Sequence, residues 1–246
     1  LTTFWAQRNG GAELTVGGLT PLPSLPVYAL VQETGEDGKP ASGAEVRVYS
    51  TEITADGIRL TLPNGYANGC AVAIVQPTQD FGTLTISGPE TIKQNKTDAD
   101  YPVAYTVTYV MSESLKNIIT QAGGSAEYSL VITKDARLKG TPDSFDENSI
   151  QVTYMLPNVA FAVGDSLFAS AELTVTVGKN RYVIPSNVTK TKLLGLESFH
   201  VVFDWNDGSG KTETVSVTEG EALGDAMIAD PSRRGYTFTG WNTQQD

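Results

Sequence analysis

The sequence predicts a mainly β protein assembled from β-sandwich-like modules. Three observations carry that expectation. Val, Thr, Ile and Tyr recur in short alternating runs, the pattern of strands with one buried face. Gly, Pro, Asn and Asp punctuate these runs at the spacing of sandwich turns, as at Glu36-Asp37-Gly38-Lys39. Only two stretches have helical spacing.

Taken in order, the strands expected are residues 45–50, 57–62, 70–76, 82–87, 103–111, 128–134, 150–155, 171–177, 181–185, 200–204, 213–217 and 236–241. The pattern is plainest where Ile58, Leu60 and Leu62 alternate with Arg59 and Thr61, and where Val103, Tyr105, Val107 and Tyr109 alternate with Ala104, Thr106 and Thr108. A helix is expected over 112–121, with Ser112 as its cap ahead of Leu115, Ile118 and Ile119. A second is expected over 219–228, where acidic residues precede Leu223, Met227 and Ile228. Pro21, Pro23 and Pro26 mark an extended entry segment rather than a strand interior.

Polar breaks at 98–102 and 190–196 divide the chain into three modules: a β-rich module with a Pro-rich entry over 1–100, a β-sandwich-like, Ig-like module over 101–195, and a small unit over 196–246. Their net charges of −5, 0 and −6 differ enough to support separate modules. At 246 residues the chain is long enough for several hydrophobic cores.

The charge balance also bears on function. Seventeen basic against 28 acidic residues give a net charge of −11, a field that repels nucleic-acid backbones and anionic lipid. Hydrophobic residues at 40% and charged residues at 18% describe a soluble globular chain with no membrane insertion. One His and one Cys cannot assemble a Cys/His zinc cage, and Cys70 has no disulfide partner in the chain. No cofactor is expected. The chain opens at Leu1 without a leader pattern, which reads as a processed product or an excised fragment.

The last 48 residues carry the most specific string. Val202-Phe203-Asp204 runs into the turn Asn206-Asp207-Gly208, followed by residues 214–218 and Gly220-Glu221. The string closes with Asp230-Pro231 and Arg234-Gly235-Tyr236-Thr237-Phe238-Thr239-Gly240-Trp241. Asp204, Gly208, Pro231, Gly235, Tyr236, Phe238, Gly240 and Trp241 are its signature. In physical terms Pro231 stops the helix, Gly235 permits a tight turn, and the final run alternates Tyr236 and Phe238 against Thr237, Thr239 and Trp241. Two hairpin strands, a helix and a returning strand make a small β-grasp-like unit.

This string resembles the Listeria-Bacteroides repeat, also called the internalin B-repeat. The resemblance implies the same β-grasp-like fold, exposure on or secretion from a bacterial cell, and a role as a spacer linked to adhesion rather than as a catalytic unit. Such a repeat continues past its Gly-Trp into a final strand, so the unit reads as incomplete at Asp246. Thr2-Thr3-Phe4-Trp5-Ala6-Gln7 resembles that strand, either as the tail of an upstream repeat or as a segment that pairs with the open edge of the last one.

Other candidate sites reduce to structural readings. His200 beside Ser198 and Asp204 evokes a triad, but no nucleophile elbow accompanies it. Asp204 to Gly208 evokes a calcium loop, but Ser209 and Val215 occupy the positions where Gly and Glu are needed, so a hairpin turn and no metal is expected. Asp143, Asp146 and Glu147 form a solvated loop. Trp5, Trp205 and Trp241, with ten Tyr, offer sugar-stacking surfaces. Lys134 follows Tyr128, Leu130 and Ile132 on one strand face, and a buried amine there suits the donor of an internal isopeptide bond, as in Gram-positive pilins and adhesins. The function expected is a non-catalytic adhesin or stalk region of an extracellular bacterial surface protein, its partner a host or cell-surface protein or a glycan. The alternative is a carbohydrate-binding accessory region of a secreted carbohydrate-active enzyme.

Overall fold

The computed structural model describes residues 2–6, 12–22, 24–62, 66, 69–141, 148–206 and 208–242, with the backbone alone described at 2–6, 12 and 225. The chain is mainly β and divides into two compact units, Leu1–Leu194 and Gly195–Asp246.

The first unit holds two sandwich-like cores. In the first, one sheet contains β1 (Thr2–Ala6), β3 (Tyr28–Glu33), β4 (Val46–Ser50) and β7 (Cys70–Val75) in the order β1-β7-β3-β4. The facing sheet contains β2 (Ala12–Val16), β5 (Glu52–Thr54) and β6 (Gly57–Leu62) in the order β2-β6-β5. The alternation seen in the sequence puts Ile58, Leu60 and Leu62 inward, against Ala29, Val31 and Val72 of the other sheet. The turn after β3 is closed by Gly38, at φ 72°, whose N–H donates to the Gly35 carbonyl at 2.9 Å.

In the second sandwich, β8 (Gly82–Ser87), β10 (Tyr101–Met111) and β12 (Ser149–Leu156) form a sheet in the order β12-β10-β8. Against it stand β9 (Thr91–Lys93), β11 (Glu127–Lys134), β13 (Ser166–Val177) and β15 (Thr189–Leu194) in the order β11-β13-β15-β9, with β14 (Asn180–Pro185) also paired to β13. Val103, Tyr105 and Val107 of β10 meet Leu167, Leu173 and Val175 of β13 in one core. The helix α1 (Glu113–Gln121) follows β10, capped as expected by Ser112, whose hydroxyl accepts from the Leu115 N–H at 3.2 Å. Leu115 is fully buried in the core.

Strand pairing runs across the polar break at 98–102. β8 and β9 lie before it in sequence, yet β8 pairs with β10 and β9 with β15, and Leu84 and Ile86 belong to the second core. The passage from the first core to the second falls between Val75 and Gly82. The break at 190–196 likewise overlaps β15, whose Thr191 and Leu193 are fully buried.

The second unit contains a hairpin of β16 (Ser198–Asp204) and β17 (Thr212–Thr218), followed by a single 3-10 turn at Gly224–Ala226. The helix expected over 219–228 is not formed: Gly220 and Gly224 take positive φ values of 69° and 44°, outside the right-handed helical well. The strand expected over 236–241 is also absent, because Gly235 and Gly240 sit at φ 86° and 137° and bend the segment away from a ladder. The β-grasp-like unit is thus represented by its hairpin and an irregular return. Thr2–Ala6, read as a possible completing strand for this unit, instead pairs antiparallel with β7 in the first core.

Candidate functional site

The second unit has one buried apolar side chain among its described residues, Phe203 on β16, only 6% exposed. The two-residue period of the strand turns it to the face opposite Val202, which is exposed. Trp241 packs its ring against Phe203, centroids 4.8 Å apart at 67°, and against Phe238, 5.2 Å apart at 64°. Both are edge-to-face contacts, in which the positive rim of one ring meets the negative face of the other. Phe238 and Trp241 therefore share a side, because the bend at Gly240 breaks the strict alternation expected of a strand. Tyr236 turns away, 68% exposed, and carries the Arg233 guanidinium 4.4 Å from its ring centre.

Phe203, Phe238 and Trp241 line a groove of about 700 Å³ together with Val201, Asp204, Trp205, Leu223, Met227 and Pro231. The Lys211 ammonium covers one face of Trp205, 3.5 Å from the ring centre, a cation–π contact. The indole N–H groups of Trp205 and Trp241 are buried and have no hydrogen-bond partner among the described residues. The groove thus offers aromatic faces, the equipment for a ligand with apolar surface.

The remaining signature residues build the frame. Asp204 Oδ1 accepts from the Asn206 N–H at 2.9 Å, and Asn206 takes a φ of 43°, so this carboxylate closes the turn locally. Gly208, at φ 81°, continues that turn, and the Trp205 N–H donates to the Lys211 carbonyl at 3.1 Å across its base. Asp207 lies outside the described residues. Pro231 lines the groove rather than ending a helix.

The other candidates are scattered. His200 is exposed, and its Nδ1 lies 3.0 Å from the hydroxyl of Ser216, its cross-strand neighbour, not of Ser198. Asp204 is four residues further along the same strand, about 13 Å at the usual rise, so Ser198, His200 and Asp204 do not converge. Lys134, at the end of β11, is half-buried: Nζ donates to the Leu138 carbonyl at 2.6 Å and stands 5.1 Å from the centre of the Tyr154 ring. Asp143, Asp146, Glu147 and the side chain of Trp5 lie outside the described residues. No group of three metal-ligating side chains occurs among the described residues. Sequence reasoning missed the contact of Lys211 with Trp205, although a cation seven residues from Asp204 at the far side of a hairpin turn is placed to return beside that ring.

The class these features define is a modular β protein whose C-terminal unit is a hairpin carrying an aromatic groove. The Listeria-Bacteroides repeat domain is the family whose model matches residues 199–246, the segment that forms this unit. Repeats of this family are found in bacterial surface proteins. No curated protein sequence matches the chain. Among the described residues no helix is long and apolar enough to cross a membrane.

Proposed function

We propose that the chain is a non-catalytic, extracellular part of a bacterial surface protein, serving as a stalk or adhesin segment. The observation that supports this reading is the Listeria-Bacteroides repeat at 199–246, in series with strand-rich modules. The acidic surface keeps such a segment soluble, and the aromatic groove of the repeat is its contact site for a host or cell-surface protein or a glycan.

The test has two parts. Antibody raised against the chain is expected to label intact cells of the producing bacterium and to lose its target when those cells are shaved with protease. Labelling only after lysis overturns the surface reading. Binding of the purified chain to host-cell protein and to a glycan array then separates adhesin from carbohydrate-binding accessory region. Strong glycan binding lost in Trp241→Ala favours the accessory region.

The isopeptide reading of Lys134 is kept as a proposal with its own measurement. The expected intact mass is lower than the sequence sum by one ammonia or one water. A mass equal to the full sum removes it.

A further inference from the structure

The chain enters and leaves the second sandwich along the same edge and in the same direction. Leu84 of β8 bridges Ser186 in parallel register. Two residues on, the Ile86 N–H donates to Asn187 Oδ1 at 2.9 Å, and Asn187 Nδ2 donates back to the Ile86 carbonyl at 2.9 Å. The Pro89 carbonyl accepts from the Thr191 hydroxyl at 2.6 Å, and the Glu90 carbonyl from the Lys192 N–H at 2.8 Å. β9 and β15 then pair in parallel, Thr91 with Lys192 through Lys93 with Leu194, and the Gln94 N–H closes the run on the Leu194 carbonyl at 2.8 Å. Residues 84–94 are thus tied to residues 186–194 from end to end.

The tie depends on a bulge. Glu172 pairs with Pro185 and Ala169 with Thr189, so the two residues Ser170 and Ala171 face the three residues 186–188. The extra residue interrupts the ladder between β14 and β15 and re-aims Asn187. Its side-chain amide supplies to β8 the donor and the acceptor that a backbone residue would have supplied.

We infer that this parallel pairing of entry and exit segments is a force-bearing clamp. Tension pulls residue 84 toward the N-terminus and residue 194 toward the C-terminus, opposite ways along two parallel segments. The cross-ties lie across the pull, so they share the load and must fail together. The first sandwich has the contrary arrangement. Its entry strand β1 is antiparallel to its exit strand β7, with Thr2 opposite Ile74, so the two loaded ends are neighbours. Tension there opens one pair at a time, from Thr2–Ile74 toward Ala6–Cys70. The first sandwich yields early and the second holds.

The inference deepens the stalk reading, and force measurement on the isolated chain separates the two: a chain without a clamp can still be surface-displayed, and a clamped chain need not be. The experiment stretches the full chain between handles at its ends. Two main events are expected, about 25 nm from the first sandwich and about 37 nm from the second, at roughly 3.4 Å per released residue. The second is expected to need at least twice the force of the first. Combining Asn187→Ala with Thr191→Val is expected to lower the force of the 37 nm event by at least a third and leave the 25 nm event unchanged. Moving the C-terminal handle to exposed position 179 with Lys179→Cys takes β15 out of the loaded path, and the otherwise unaltered second sandwich is expected to open at half the force or less. That geometry decides the matter even if the double variant does not fold. A second sandwich that yields at or below the force of the first, or at the same force from both attachment points, overturns the clamp.

Discussion

Gly82→Ala is expected to destabilise the second sandwich by about 3–5 kcal/mol, the sum of backbone strain and overlap with its neighbours. Gly82 opens β8 at a φ of 115°, a conformation that residues with a Cβ rarely adopt. A methyl group there would lie 2.4 Å from the Val110 carbonyl oxygen, 2.9 Å from Tyr109 Cε2 and 3.0 Å from the Ser112 nitrogen. None of these has room to retreat. Tyr109 is 4% exposed and its hydroxyl donates to the Phe81 carbonyl at 2.6 Å. The Ser112 hydroxyl both caps α1 and donates to the Asp80 carbonyl at 2.7 Å. The start of β8, the end of β10 and the cap of α1 therefore close on one another only around a hydrogen atom. Gly178→Ala is the comparison, at φ 62° with no atom within 4 Å of the added carbon, and its expected cost is about 1–2 kcal/mol. Denaturant midpoints at unchanged m-value measure both. Equal costs would mean that the crowding at Gly82 relaxes and that only the dihedral matters.

Much of this architecture was legible because the two-residue period survives wherever one face of a strand meets water. β12 shows it without a fault, with Ile150, Val152, Tyr154 and Leu156 buried between exposed neighbours. The period fails where both faces are covered. β13 buries Phe168 and Ser170 on the side away from the core, where Glu45, Arg47 and Val48 of the first sandwich approach Ser170 and Glu172. The sequence pattern marks this strand only from Ala171 onward, although it begins at Ser166. β15, Thr-Lys-Thr-Lys-Leu-Leu, read as a polar break because its lysines dominate the composition, while Thr191 and Leu193 carry its inward face. β9 has three residues, too few for any period, and is held by a partner about 100 residues away. In the repeat, the same Tyr-x-Phe alternation that marks a strand elsewhere was overruled by two glycines, and no local signal separates a glycine that ends a strand from one that a strand tolerates. The groove was legible in its ingredients, Trp205, Phe238 and Trp241, but not in its assembly. Bringing Trp241 onto Phe203 requires the bend at Gly240 and a contact across 38 residues of chain.

Arg137→Ala is expected to cost about 2–3 kcal/mol at neutral pH, below the full penalty for a buried ion pair because the guanidinium keeps some contact with water. Arg137 forks onto Asp135, Nε to Oδ1 at 2.9 Å and Nη2 to Oδ2 at 3.0 Å, while Nη1 reaches Asp165 at 2.8 Å and Nη2 also donates to the Ser166 carbonyl at 3.2 Å. The side chains of Asp135 and Arg137 are 9% and 26% exposed, against 54% for Asp165. Losing the cation strands Asp135 in the sandwich, whereas Asp165→Ala removes an exposed partner and is expected to cost about 1 kcal/mol or less. The pH dependence gives the sharper test. Burial pushes the Asp135 carboxyl up, but the hydrogen bonds from the Arg137 side chain and backbone N–H, with the attraction of its charge, outweigh burial and hold it below its ordinary value of 3.8. A carboxyl lowered on folding stabilises the native state above its unfolded pKa, and that contribution is lost as pH falls through the folded value. In Arg137→Ala the backbone N–H still donates to Asp135, but the side-chain hydrogen bonds and the charge are gone while burial remains, so the carboxyl rises and the stability it contributes above its unfolded pKa shrinks. The gap between wild type and variant must therefore widen from pH 3 to pH 7. Urea titrations across that interval measure it, with Arg137→Lys expected to recover only part of the loss because an ammonium cannot reproduce the two-pronged contact. A gap that does not change with pH would place the cost in lost side-chain packing and not in the charge pair.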